Sequence, residues 1–137
     1  KADLLLHCLQ ETINELFVLI KDNLSGTDRV ELFQLAFAHA AENADLYRVL
    51  LSGQGTVRHR REVQEIIAVH TRAVLVERFP GADSVSVELG SVYTAGALLM
   101  MIEWWLVQDM PYSTERMAVM FRATVLNGLN GLLGDPA

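Results

Sequence analysis

The sequence predicts an all-α fold of about six helices, on three observations. Apolar residues recur at steps of three and four along most of the 137 residues, the spacing of one helix face. No alternating polar and apolar run is bounded by turn pairs, so strand signals are scarce. The breaks between periodic segments are short and rich in helix-ending residues: "LSGT", "GQGT", "PGADS" and "MPYS". At 51% hydrophobic and 20% charged the chain reads as globular. Its length suits one domain over residues 1–137, with a core that needs no staples.

The first helix is expected from about Ala2 to Asn23, with Leu6, Leu9, Ile13, Leu16 and Ile20 on one face. Asp28 or Thr27 can cap a second helix to about Ala41, with Val30, Phe33, Phe37 and Ala40 on one side. Asn43 can cap a short third helix, Ala44 to Ser52, and Gly53 stands where a left-handed end residue is wanted. Thr56 can cap a long fourth helix to Phe79, striped by Val63, Ile66, Ile67, His70 and Val74. Pro80 and Gly81 cannot continue it.

The fifth helix is expected from about Val85 to Asp109, ended by Pro111. From Val92 to Val107 it is apolar on nearly every side, which means burial on nearly every side. A chain of this size is thin for surrounding one helix completely. One side is therefore expected to face its own domain and another a second subunit. Ser113 or Thr114 caps a sixth helix, with Glu115 in the favourable first turn. Its stripe is Met117, Met120, Phe121, Thr124, Val125, Gly128 and Leu132. Ala118, Gly128 and Gly131 are small. Glycine in a helix interior costs about 1 kcal/mol against alanine, so a close-packing reason is expected for it; a frayed end is the alternative.

The net charge of −6 argues against a free-standing nucleic-acid binder. The only dense basic patch is "RHRR", Arg58 to Arg61, which reads as a solvated first turn. The one cysteine, Cys8, excludes an intramolecular disulfide framework and a cysteine-rich zinc site, and the cytoplasm is the expected compartment. The longest uninterrupted apolar run, Ala97 to Ile102, falls short of a span, so no membrane association is expected. The chain begins at Lys1, not Met, and is expected to be a fragment of a longer protein. No metal is expected: His7 and Cys8 are helix neighbours that cannot easily share an ion, and His59 lies in a basic setting. No catalytic residue and no cofactor is expected, since the chain has no phosphate loop, nucleophile elbow or paired-carboxylate motif.

Three stretches carry a family resemblance. "KADLLLHCL" resembles the start of the helix that follows the helix-turn-helix head in TetR-family transcriptional regulators. "AENADLYRVLLSGQG" is similar to the central segment of one subgroup's C-terminal region. "EWWLVQDMPYSTERMA" resembles that subgroup's "WWL…MPYSPEEMA" pattern, with Thr114 in place of Pro and Arg116 in place of Glu. The resemblance covers almost the whole chain. It implies an effector-binding and dimerisation domain, with the last two long helices of each subunit forming a four-helix bundle across a homodimer. It also implies a small-molecule effector between the first, middle and fifth helices, and contact with DNA only through an upstream head.

On that reading Phe33, Phe37, Tyr47, His70, Tyr93, Met100 and Trp104 are the expected ligand-lining residues, with plain core packing as the alternative for each. His70 is either a polar anchor for the effector or a buried histidine satisfied locally. Glu103 is either a ligand partner or a helix-edge carboxylate reaching water. Trp104 and Trp105 point about 100° apart on a helix; Trp104 is expected to face the subunit interior and Trp105 the dimer seam or its rim. The expected interface is Trp105 with Met117, Met120, Phe121, Thr124, Val125, Gly128 and Leu132. The competing reading is a helical module that binds a partner protein and no small molecule.

Overall fold

The computed structural model describes residues 2–22, 29–51 and 57–134. Six helices make up these residues: α1 (Ala2–Asp22), α2 (Arg29–Glu42), α3 (Ala44–Leu51), α4 (Val57–Arg78), α5 (Ser84–Val107) and α6 (Thr114–Leu133). The described residues contain no strand. The expected caps Thr27, Asp28 and Thr56, the expected end residue Gly53 and the side chain of Val30 lie outside the described residues.

Local chemistry accounts for the ends that are described. Asp83 caps α5: its carboxylate accepts the Ser86 N–H at 2.8 Å and the Ser86 hydroxyl at 2.9 Å. The Ser86 backbone bond, with the hydroxyl bond behind it, holds the Asp83 carboxyl below its ordinary range. Ser113, rather than Thr114, caps α6 and accepts the Arg116 N–H at 3.1 Å. Asn43 does not cap α3 through its side chain, which instead donates to the His39 carbonyl at the end of α2; its own carbonyl accepts the Tyr47 N–H.

α5 stops two residues earlier than Pro111 alone would require. The Met110 N–H reaches back to the Trp105 carbonyl at 2.8 Å, and the Asp109 N–H to the Leu106 carbonyl at 3.0 Å. This is the paired 6→1 and 5→2 pattern of a Schellman end. It requires a left-handed residue, and here both Asp109 (φ 62) and Met110 (φ 51) take that conformation without being glycine. Arg48 reaches across from α3 and donates to the Leu106 carbonyl at 3.3 Å.

α4 packs along α5, and α2 along α6. α1 lies on α2, α3 and α4. One continuous core joins them, with Leu9, Ile13, Phe37, Tyr47, Leu50, Val63, Leu99, Ile102, Trp105, Met117, Phe121 and Val125 at its centre. Gly90 faces the junction of α4, α5 and α6, where a methyl group would touch Leu75 and Leu129 at 3.4 Å and a larger side chain would be crowded.

Two stripes differ in phase from the expected ones. α4 buries His59, Val63, Ile67, Thr71 and Leu75, leaving His70 partly open and Ile66 and Val74 at the flank. α6 buries Met117, Ala118, Phe121, Val125, Leu129 and Leu133, so Thr124, Gly128 and Leu132 turn outward. Judged by mean hydropathy over a whole window rather than by unbroken runs, α5 is long and apolar enough to cross a membrane. Of that window 44% is buried inside the structure, which is what a core helix with one covered face and one open face gives.

Candidate functional site

The ligand-lining residues expected from sequence do not converge on one cavity. Phe37 and Tyr47 are core residues, Phe37 meeting Trp105 and Phe121 edge to face at 5.7 and 6.1 Å. Phe33, half-buried, packs its ring edge-on against Phe121 at 5.1 Å. Tyr93, Met100 and Trp104 stand on the outside of α5. Leu50, Val63, Ile67, Leu99 and Ile102, on α3, α4 and α5, belong to the one hydrophobic core.

The tryptophan pair is reversed with respect to expectation. Trp105 is 2% exposed, packs on Phe37 and donates its indole N–H to the Tyr112 carbonyl at 2.9 Å. Trp104 is 48% exposed. It stacks on Tyr112 at 6.3 Å, and the Arg116 guanidinium lies over the same tyrosine ring at 4.7 Å. Of the residues expected at a subunit seam, Trp105, Met117, Phe121 and Val125 are buried within the chain, and Met120 packs partly against the core. The large apolar groups that do face outward are Val85, Leu89, Val92, Tyr93, Met100, Trp104 and Val107 on α5, with Val119 and Leu132 on α6. Gly128 lies beside this face, where an added methyl group would meet the Tyr93 hydroxyl at 3.3 Å. Gly131 has nothing within 4 Å. The nearest neighbour of Gly128 within the chain is thus the outer end of an exposed tyrosine, so neither glycine is required for two helices of this chain to approach.

His70 is the expected ligand residue that lies in a recess. Two adjoining open grooves of about 330 Å³ each run between α1 and α4 and share His70 and Asn14. The imidazole is stacked flat on Phe17, ring centres 4.6 Å apart. Its Nε2 is 2.7 Å from the Asn14 side-chain oxygen, a bond it donates when the ring proton sits there. Partial burial pushes its pKa down, so the ring favours the neutral form. One end of the groove is lined by Gln10, Glu62 and Glu65, the other by Lys21 and Glu77, with Phe17 and Ile66 between.

Sequence reasoning missed the second partly satisfied histidine, His39. It is 8% exposed inside an alanine-rich helix, with Nδ1 3.2 Å from the hydroxyl of buried Tyr47. Burial pushes the His39 pKa down, against opposing pulls from the Thr12 backbone, Glu42 and Glu15; burial also pushes the Tyr47 phenol up. An eight-residue separation across a helix junction leaves no periodic signal for such a pair.

The "RHRR" cluster is solvated at Arg58 and Arg61, while His59 is buried and Arg60 half-buried. Arg58 and buried His59 both bind the Asp3 carboxylate at 2.8 Å, joining the first turn of α1 to the first turn of α4. The His59 hydrogen bond and then the Arg58 charge hold the Asp3 carboxyl below its ordinary range. Arg60 is ion-paired with half-buried Glu103 and also touches the Met100 sulfur at 3.1 Å. Glu103 thus answers an arginine of its own chain. Among the described residues, no group of three or more His, Cys, Asp or Glu is placed to hold a metal ion.

The six described helices, with one buried core and an uncovered apolar face on α5, define an all-α domain with open recesses on its surface. Its family follows from comparison: residues 30–127 match the family described as the transcriptional regulator C-terminal region, of the TetR type. The chain belongs to that family. No curated protein and no solved structure matched it.

Proposed function

We propose that this chain is the effector-sensing and dimerisation domain of its regulator, contacting DNA only through a separate helix-turn-helix head. The observation that carries the reading is the outward stripe on α5. Val85, Leu89, Val92, Met100, Trp104 and Val107 stand on it, a large apolar patch in water. A second copy laying its own α5 and α6 against this stripe and the outer side of α6 would cover both. The face is self-complementary only through a two-fold arrangement, the commonest symmetry of soluble oligomers.

The effector, a small apolar or amphipathic molecule, fits the α1–α4 groove best. There Phe17 and Ile66 offer apolar contact, and the His70–Asn14 pair offers a polar group that can re-pair with a ligand. Binding there changes how α1 sits on α4. A ligand that prefers one setting shifts the population of head spacings, and one with equal affinity for both shifts nothing.

A specific observation favours a second reading. The recesses that flank α4 are open grooves on the surface, as in a helical module that docks a partner protein. Native mass spectrometry of the purified chain separates the two. A dimer with an additional small mass released on denaturation supports sensing and dimerisation. A monomer at micromolar concentration overturns the dimer and puts the partner-binding module first.

A further inference from the structure

We propose that the groove between α1 and α2 is a binding site for a small organic ammonium ion that also carries a hydrogen-bond acceptor. The site does not rest on the effector reading. It lies on the side of α1 opposite the α1–α4 groove and shares no lining residue with it. No residue of α5 or α6 lines it, so it stands apart from the stripe assigned to a second copy.

The floor of the groove supplies a hydrogen-bond donor. His39 lines it and is 8% exposed, with Nδ1 3.2 Å from the hydroxyl of buried Tyr47. Burial pushes the phenol up, so it keeps its proton, and a buried O–H needs an acceptor. The Tyr47 proton is therefore assigned to Nδ1, which leaves the proton of the neutral imidazole on Nε2. The two ring nitrogens point to opposite sides, so Nε2 turns away from Tyr47 in the core. The Thr12 carbonyl pulls on the ring from α1, yet buried Nε2 has no hydrogen-bond partner among the described residues. A buried N–H left in this state costs free energy that an acceptor carried by a ligand recovers. Leu16 and Leu35 on the walls are half-buried and Leu19 is exposed. Rotamers of open side chains change in picoseconds to nanoseconds, which gives a ligand a way to Nε2 without backbone movement.

The rim supplies the charge. Glu15 on α1 and Glu42 in the last turn of α2 are exposed, and neither carboxylate has an ion pair or hydrogen bond among the described residues. Both lie close enough to His39 to act on its ring. No lysine or arginine lines the groove. Cations nearby in the chain are engaged elsewhere: His7 with Glu11, Arg48 with Asp45 and Asp109, and Lys21 on the opposite groove. The C-terminal end of a helix disfavours a carboxylate and favours a cation, so the setting of Glu42 adds to the pull. Acidic residues are common in a chain of net charge −6; this pair differs in acting on one buried, half-satisfied imidazole. A bare metal ion does not answer it, because the described residues hold no group of three His, Cys, Asp or Glu placed to bind one. An organic cation spans more and brings an apolar body, for which Leu16, Leu19, Leu35 and Ala38 offer contact.

The test uses three probes on the intact chain: phenylethanolamine, phenethylamine, which lacks the hydroxyl acceptor, and phenethyl alcohol, which lacks the charge. Amide and imidazole nitrogen shifts report binding. Phenylethanolamine is expected to shift the amides of Thr12, Leu16, Ala38 and Asn43 together with His39 Nε2. It should bind roughly threefold more tightly than phenethylamine and about tenfold more tightly than phenethyl alcohol. Glu15→Gln and Glu42→Gln together, two exposed changes outside the core, should weaken both amines about tenfold and leave phenethyl alcohol unchanged. Calcium ions should leave these signals in place. Equal binding of the three probes overturns the proposal, and so does amine affinity unaltered by the two substitutions. Calcium shifts that match those of the amines overturn it, as does the absence of any shift at millimolar concentration. Shifts centred on His70 and Asn14 overturn it while leaving the α1–α4 effector groove standing.

Discussion

The two faces of α5 are built from similar residues and have opposite fates. The inner face buries Val87, Leu98, Leu99, Ile102, Trp105 and Leu106 against α2, α3, α4 and α6. The outer face leaves Leu89, Val92, Met100, Trp104 and Val107 in the open. Composition does not separate them: each carries one tryptophan and several aliphatic groups. The lesson is that apolarity alone records how many surfaces a helix must cover and not which partner covers which one. The inner face is answered within the chain. The outer face is the strongest reason to expect a second copy.

Four substitutions break or sharpen that contrast. The largest effect is expected at Trp105. Truncation to alanine removes its packing on Phe37 and its bond to the Tyr112 carbonyl and should cost about 3–5 kcal/mol of stability. The same change at Trp104 should cost well under half as much in dilute chain. Comparable losses in urea titrations of the two variants would mean that the faces are assigned wrongly. Next is Gly90→Val. Even a methyl group at this position already meets Leu75 and Leu129 at 3.4 Å, so the larger side chain should overpack the α4–α5–α6 junction by about 1–3 kcal/mol. A melting temperature equal to that of the parent would show that the junction is slack.

On the outer face, Trp104→Arg should weaken self-association at least tenfold, read by analytical ultracentrifugation, with the far-ultraviolet spectrum unchanged. An unaltered dimer would move the seam away from α5. The smallest effect is expected at Gly131, which has nothing within 4 Å. Alanine there should raise stability by about 0.5–1 kcal/mol, since it removes a helix-interior glycine. If the change instead weakens association, a second copy comes as close to this part of α6 as the glycine allows.

Much of the fold was legible because most helices carry a charged side that fixes their phase. In α1 the periodic set Leu6, Leu9, Ile13 and Ile20 is buried and its fifth member, Leu16, half-buried, since His7, Glu11 and Lys21 mark the opposite side. α5 gives no such mark. Its polar residues mislead: Ser91 and Thr94 are buried, Ser91 answering its own helix by donating to the Val87 carbonyl at 2.7 Å. With no solvent side to set the phase, Trp104 and Trp105 could be told apart only by what packs on them. The grooves were less legible still. His70 was readable as a polar group in an apolar stripe, but its pairing with Asn14 joins positions 56 apart in sequence. The partners of Arg58 and Arg60 were hidden because Asp3 and Glu103 lie 55 and more than 40 positions away.

The corner after α5 has a consequence for how this sequence can drift. Asp109 and Met110 both hold a left-handed backbone, where a β-branched side chain is a genuine outlier and only glycine, asparagine and aspartate are at ease. At position 109 the side chain is exposed, so those three residues are interchangeable there at little loss. At position 110 the side chain also packs against the core, so glycine relieves the backbone but forfeits the contact, while valine or isoleucine keeps the contact and strains the backbone. Substitutions at 110 are therefore confined to unbranched chains. A saturation library of this chain should show a narrow tolerance at Met110 beside a broad one at Gln108, in a stretch that surface exposure alone would rank as freely variable.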